Sequence, residues 1–140
     1  MFQSVYIGFD HREADAFAVA RHSAIRGFNT PVPVRGLVLP ALREQGLYTR
    51  EHVRRNGQLW DIISDAPMST EFAISRFLVP HLAGRDLKST RRHWSLFMDS
   101  DVLCRHSLEP LFAQAEDKYA VMVVKHNFDP PEGVKMDGQL

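Results

Sequence analysis

The sequence predicts one α/β domain on a mostly parallel sheet. Three observations carry that expectation. Short apolar runs rich in β-formers alternate with segments of helical period, two of those runs end in an aspartate, and 140 residues suffice for one core of ordinary size. In open parallel sheets ligands bind beyond the carboxyl ends of the strands, which is where Asp10 and Asp99 fall.

Val5 to Phe9 reads as the first strand, and Asp10-His11-Arg12-Glu13 follows with the D-x-x-E spacing of a helix N-cap. From Arg12 to Phe28 the residues Phe17, Ala20, Ala24 and Phe28 recur at helical spacing, with Gly27 as terminator. Val32 to Leu39 reads as a second strand, which Pro33 pushes toward an edge or bulge position. Leu59 to Ile63 marks a third. Pro67, Ser69 and Thr70 introduce a helix over Glu71 to Val79, apolar nearly all round, which Pro80 should end or kink. Trp94 to Met98 is an unbroken apolar run, the pattern of a central strand covered on both faces. A short helix after Ser107 carries Leu108, Leu111 and Phe112, and Tyr119 to Val124 makes a last buried strand. The expected order is β-α-β-β-α-β-α-β.

Seventeen basic residues balance seventeen acidic ones, so no overall field favours nucleic acid or an anionic membrane, and any anionic ligand must be held locally. The single Cys104 excludes an internal disulfide and suits a reducing compartment. The first ten residues lack the basic start of a signal peptide, and no stretch approaches the roughly 18 apolar residues of a membrane span, so a cytoplasmic location is expected. Arg43 to Gly57, polar and rich in arginine, reads as a solvated loop rather than a contact for an acidic acceptor.

Asp99-Ser100-Asp101 is the first chemical candidate. Two carboxylates in one short turn can share a hard divalent cation whose remaining positions take phosphate oxygens and water. The bland alternative is turn and cap duty, which aspartate also performs. Arg76 is the second, because its apolar helix leaves it little solvated face and a buried guanidinium needs an anionic partner. That partner is either a structural carboxylate or a bound diphosphate. Asp10 is explained by capping yet lies at the crevice, and Gly8 would let a nucleotide approach the backbone. His126, just after the last expected strand, is a candidate for substrate contact, with a solvated loop histidine as the favoured account. The seven histidines lack zinc-site spacing, and no P-loop, dinucleotide-binding or nucleophile-elbow motif occurs.

Together, Tyr6-Ile7-Gly8-Phe9-Asp10, Ser69-Thr70-Glu71-Phe72 leading to Arg76-Phe77, Leu96 to Leu103 around the aspartates, and Ser107-Leu108-Glu109-Pro110-Leu111-Phe112 resemble glycosyltransferase family 8-like proteins of the Rossmann-like GT-A fold. The resemblance implies a transferase that takes a sugar from a nucleotide-diphospho-sugar donor, with retention of configuration. Mn2+ or Mg2+ would bind Asp99 and Asp101. Arg76 would be the catalytic cation facing the diphosphate, and Gly8, Phe9 and Asp10 would line the nucleoside pocket. It also implies that residues 1–140 are a single, incomplete domain. In the family the domain continues and supplies a further metal ligand, and Lys135 to Gln139 looks like the start of a donor and acceptor region cut off at Leu140.

Two other functions compete. One is a remnant of the fold that only binds nucleotide or serves structurally; its open sheet would expose an apolar edge and favour a homo-oligomer. The other is a phosphatase of the haloacid dehalogenase type with Asp99 as nucleophile, disfavoured because its motif comes late with little chain after it. Sugar, base and acceptor are not specified by the sequence.

Overall fold

A computed structural model describes residues 2–85 and 93–125. Three parallel strands, β1 (Phe2–Gly8), β2 (Val34–Leu37) and β6 (His93–Met98), form the main sheet in the order β2-β1-β6. The register pairs Ile7 with both Gly36 and Met98, so the three carboxyl ends lie along one edge. β1 is central, and its alternation serves two cores. Val5 and Ile7 face α1 (Ala14–Arg26), where they meet Ala20, Ala24, Met98 and Phe112 of α4 (Glu109–Phe112). Tyr6 faces the other way, toward Leu39 and Leu42 of α2 (Leu39–Glu44) and Val79 and Ala83 of α3 (Val79–Arg85). A sheet covered by helices on both faces explains why β1 is apolar without a gap.

A second, antiparallel sheet lies between α2 and α3 in the chain, with order β3 (His52–Arg55), β4 (Gln58–Asp61), β5 (Ala66–Met68). Its first hairpin turns on Asn56-Gly57, both at positive φ (51° and 83°), the conformation that matches the right-handed twist of a two-residue hairpin. Asp61, 1% exposed, ties this sheet to the preceding loop. It accepts from Arg50 Nε at 3.0 Å, Arg50 Nη2 at 2.5 Å and Ser64 N at 2.7 Å.

The mixed α/β class and the parallel sheet match the sequence expectation, and several elements do not. Arg43 to Gly57 is no loop: it holds the last turn of α2 and all of β3. The expected third strand is β4, in the antiparallel sheet, and Leu39, expected in a strand, starts a helix. Glu71 to Val79 is a set of turns and a 3-10 segment (Ser75–Leu78) leading into α3, and Pro80 sits in the first turn of α3 instead of ending a helix. Proline is tolerated there because first-turn N–H groups have no intrahelical acceptor. Among the described residues Trp94 to Met98 is not central: β6 stands at the end of the strand order and most of it is half-buried. Tyr119 to Val124 forms no strand, and Val121, Val123 and Val124 are exposed. Apolar composition alone does not supply a neighbouring strand for the backbone groups. No helix among the described residues is long and apolar enough to cross a membrane.

Candidate functional site

The carboxyl edge of the main sheet gathers side chains from three separate segments. Asp10, directly after β1, is completely buried and accepts four hydrogen bonds. Its Oδ1 takes Arg12 N and Arg12 Nε, each at 2.9 Å, and its Oδ2 takes Arg12 Nη2 at 2.8 Å and Glu71 N at 3.2 Å. Burial pushes the Asp10 carboxyl up, but these bonds and the Arg12 charge outweigh it and hold the group down at about 2. Asp10 is thus a scaffold that caps the 3-10 turn His11–Glu13, as its spacing predicts, and recruits the Ser69 to Phe72 segment. Arg12 Nη2 adds a bond to the Ser69 carbonyl at 2.8 Å. With all four acceptor positions engaged, Asp10 offers a ligand the placement of Arg12 and no free carboxylate.

Gly8 has a packing role: a Cβ there would lie 2.4–2.7 Å from three carbons of the Phe72 ring, so the glycine makes room for that ring. Phe9 packs edge-on to Phe17 at 5.1 Å between centroids. Arg76 stacks near Phe72 and Phe97, 6.0 and 5.9 Å from their centroids, and its Nε donates to the Ala73 carbonyl at 3.0 Å. It is half-buried, and of the two partners expected for it the structural carboxylate is not found among the described residues.

Asp99 follows Met98 at the end of β6, beside Gly8 on β1 by continuation of the register. Its Oδ1 is buried with no hydrogen-bond partner among the described residues. An uncompensated buried carboxylate oxygen is costly, and a hydrogen-bond donor, a water molecule or a cation would satisfy it. Ser100, 2% exposed, donates to Glu13 Oε2 at 2.9 Å and so ties the turn to the start of α1, while Asp101 is exposed. The turn therefore carries one sheltered and one open carboxylate.

His11 and Glu71 were not singled out by sequence reasoning. Their side chains are hydrogen-bonded at 2.6 Å, and with Asp10 they form a group whose ligand-type atoms lie within 4.8 Å of one another. A cation there would have to displace the Arg12 guanidinium and the His11 contact, so a polar clamp is the better description. The D-x-x-E spacing hints at Glu13 only as a reciprocal cap; its actual partner, Ser100, is 87 residues away. His126 and Lys135 to Gln139 lie outside the described residues.

No protein-family model matches the chain, and no solved structure matches it. It is similar to the Arabidopsis thaliana protein named Protein CDI, with 38% identity over 136 residues, 97% of this chain and 46% of that protein. The chain thus spans about half the length of the curated relative it matches.

Proposed function

We propose that this chain carries the donor-binding part of a metal-dependent glycosyltransferase of the GT-A, family 8-like kind, which uses a nucleotide-diphospho-sugar. The orphaned, buried Oδ1 of Asp99 at the carboxyl end of a parallel strand carries this proposal. Asp99 and Asp101 would hold Mn2+ or Mg2+; when bound, the metal supplies charge neutralisation for a departing diphosphate.

The chain's own residues would orient that group. Arg76 brings a cation with no carboxylate partner among the described residues, held by the Ala73 carbonyl and by stacking, toward which phosphate oxygens can be drawn. Ser100 and Glu13 fix the turn that carries both aspartates. Half-buried Phe9, edge-on to Phe17, gives the first strand end an apolar surface on which a nucleoside can pack, while Asp10 and the buried Phe72 ring keep the surrounding segments in place.

Calorimetry with Mn2+ and a panel of nucleotide sugars tests this. Saturable binding is expected with Mn2+ present, absent with a chelator, and weakened about tenfold or more in Asp99→Ala. No heat with any donor, or binding unchanged in Asp99→Ala, would refute the assignment. Donor hydrolysis in the same samples separates a transferase from a chain that only binds.

A further inference from the structure

A cavity of about 420 Å³ opens between α2 and the antiparallel sheet, away from the aspartate pair. Leu39, Pro40 and Leu59 give it an apolar floor, and Arg43, His52 and Arg54 line its polar rim, which carries two guanidinium charges. In a chain whose formal charges cancel, this is a local concentration of positive charge. The fold builds it from two elements. Arg43 comes from the last turn of α2, and His52 and Arg54, two apart on β3, point to the same side of the sheet.

The rim is partly organised in advance. Arg43 Nη1 donates to the Arg50 carbonyl at 2.7 Å and lies 3.3 Å from His52 Nδ1, while among the described residues its Nε and Nη2 make no hydrogen bond. Tethering one end of a long side chain lowers the ordering entropy lost when the other end binds. Arg54 Nη1 is anchored to the Gly57 carbonyl at 3.2 Å. The ring of Tyr48 stands edge-on to His52, and its buried hydroxyl has no hydrogen-bond partner among the described residues. The one carboxylate on the rim, Glu71, is already engaged by His11 at 2.6 Å and lies 4.0 Å from Arg54 Nη2, so it does not neutralise the Arg43 side.

We propose that this cavity is a binding site for a phosphate monoester carried on a compact apolar body. Two guanidinium groups and an imidazole present more donors than the two oxygens and single charge of a carboxylate can use, whereas a phosphate monoester offers three oxygens and up to two charges. The three apolar side chains beneath, Leu39, Pro40 and Leu59, would cover a ring or short alkyl chain and so separate the ester from free phosphate. Glu71 is a wall shared with the Asp10 clamp, which places the occupant one side chain from the carboxyl edge of the main sheet. The site needs no metal and stands whether or not the chain binds a nucleotide sugar.

Titration of the full chain with phenyl phosphate, with a chelator present, tests it by calorimetry. The expected result is saturable 1:1 binding, weaker binding of inorganic phosphate and of benzoate, and none of phenol. Arg54→Ala and Arg43→Ala should each weaken phenyl phosphate about tenfold or more, with Arg54→Lys recovering part of the loss. Arg43 also holds the Arg50 carbonyl, so Arg54→Ala, checked for an unchanged melting temperature, decides if Arg43→Ala does not fold. Absence of saturable binding, or equal affinity in a folded Arg54→Ala variant, overturns the site. Benzoate binding as tightly as phenyl phosphate overturns the phosphate class, and inorganic phosphate doing so overturns the role of the apolar floor.

Discussion

Replacing Asp10 by Asn preserves the side chain's shape and removes its charge, and the cost follows from the four bonds it accepts. The amide oxygen can keep the two at Oδ1, from Arg12 N and Arg12 Nε, while the NH2 group then faces two donors, Arg12 Nη2 and Glu71 N. Arg12 is 58% exposed and can turn to water, so most of the loss comes from the buried Glu71 N–H and from the missing charge. Together these amount to about 3 kcal/mol, or roughly a 10 °C drop in melting temperature for a chain of this size. The effect should depend on pH. Because Asp10 is held down from 3.8 to about 2, its ionised form contributes about 2 kcal/mol that is complete above the ordinary carboxylate value. That contribution is lost as the pH falls through about 2. Urea unfolding of both proteins between pH 7 and pH 2 should therefore give a difference that shrinks toward the acid end. A difference under about 0.5 kcal/mol at pH 7, or one that does not change with pH, would refute the clamp as a source of stability.

Gly8→Ala should destabilise by about 2 kcal/mol, because the new methyl meets the body of the Phe72 ring; pairing it with Phe72→Ala in a double-mutant cycle should recover part of that loss. Additive effects would rule out the contact. Asp61→Ala should cost about 2 kcal/mol, less than for a fully sheltered pair because Arg50 is 34% exposed. In hydrogen exchange this loss should appear as faster exchange in β3 and β4, with β1 unchanged, and equal acceleration in β1 would contradict the separation of the two sheets.

Much of the edge that holds the candidate site was legible because its signals are local. An unbroken apolar run followed by a capping aspartate is a property of neighbours in sequence, and β1, Asp10 and α1 appear where that pattern predicts. The antiparallel sheet was missed although Asn56-Gly57 is a strong two-residue turn signal, because the arginines around it suggest a solvated loop. In a four-residue strand with one face open to water, such residues are ordinary. The Glu71 to Val79 segment was read as a helix from composition, yet Phe72 is held over Gly8 and Glu71 N is held by Asp10, which a regular helix there need not permit.

The α/β class, the aspartates near strand ends and the helix after the first of them follow from period and capping within a few residues, and so are encoded locally. What those groups do is set by packing in three dimensions. It made Asp10 an anchor whose acceptor positions are all engaged, left a buried oxygen of Asp99 without a donor, stacked Arg76 near Phe72 and Phe97 with no carboxylate partner among the described residues, and joined Ser100 to Glu13. The physical reason is that hydrogen-bond satisfaction and burial are set by partners tens of residues away, which neither propensity nor spacing encodes.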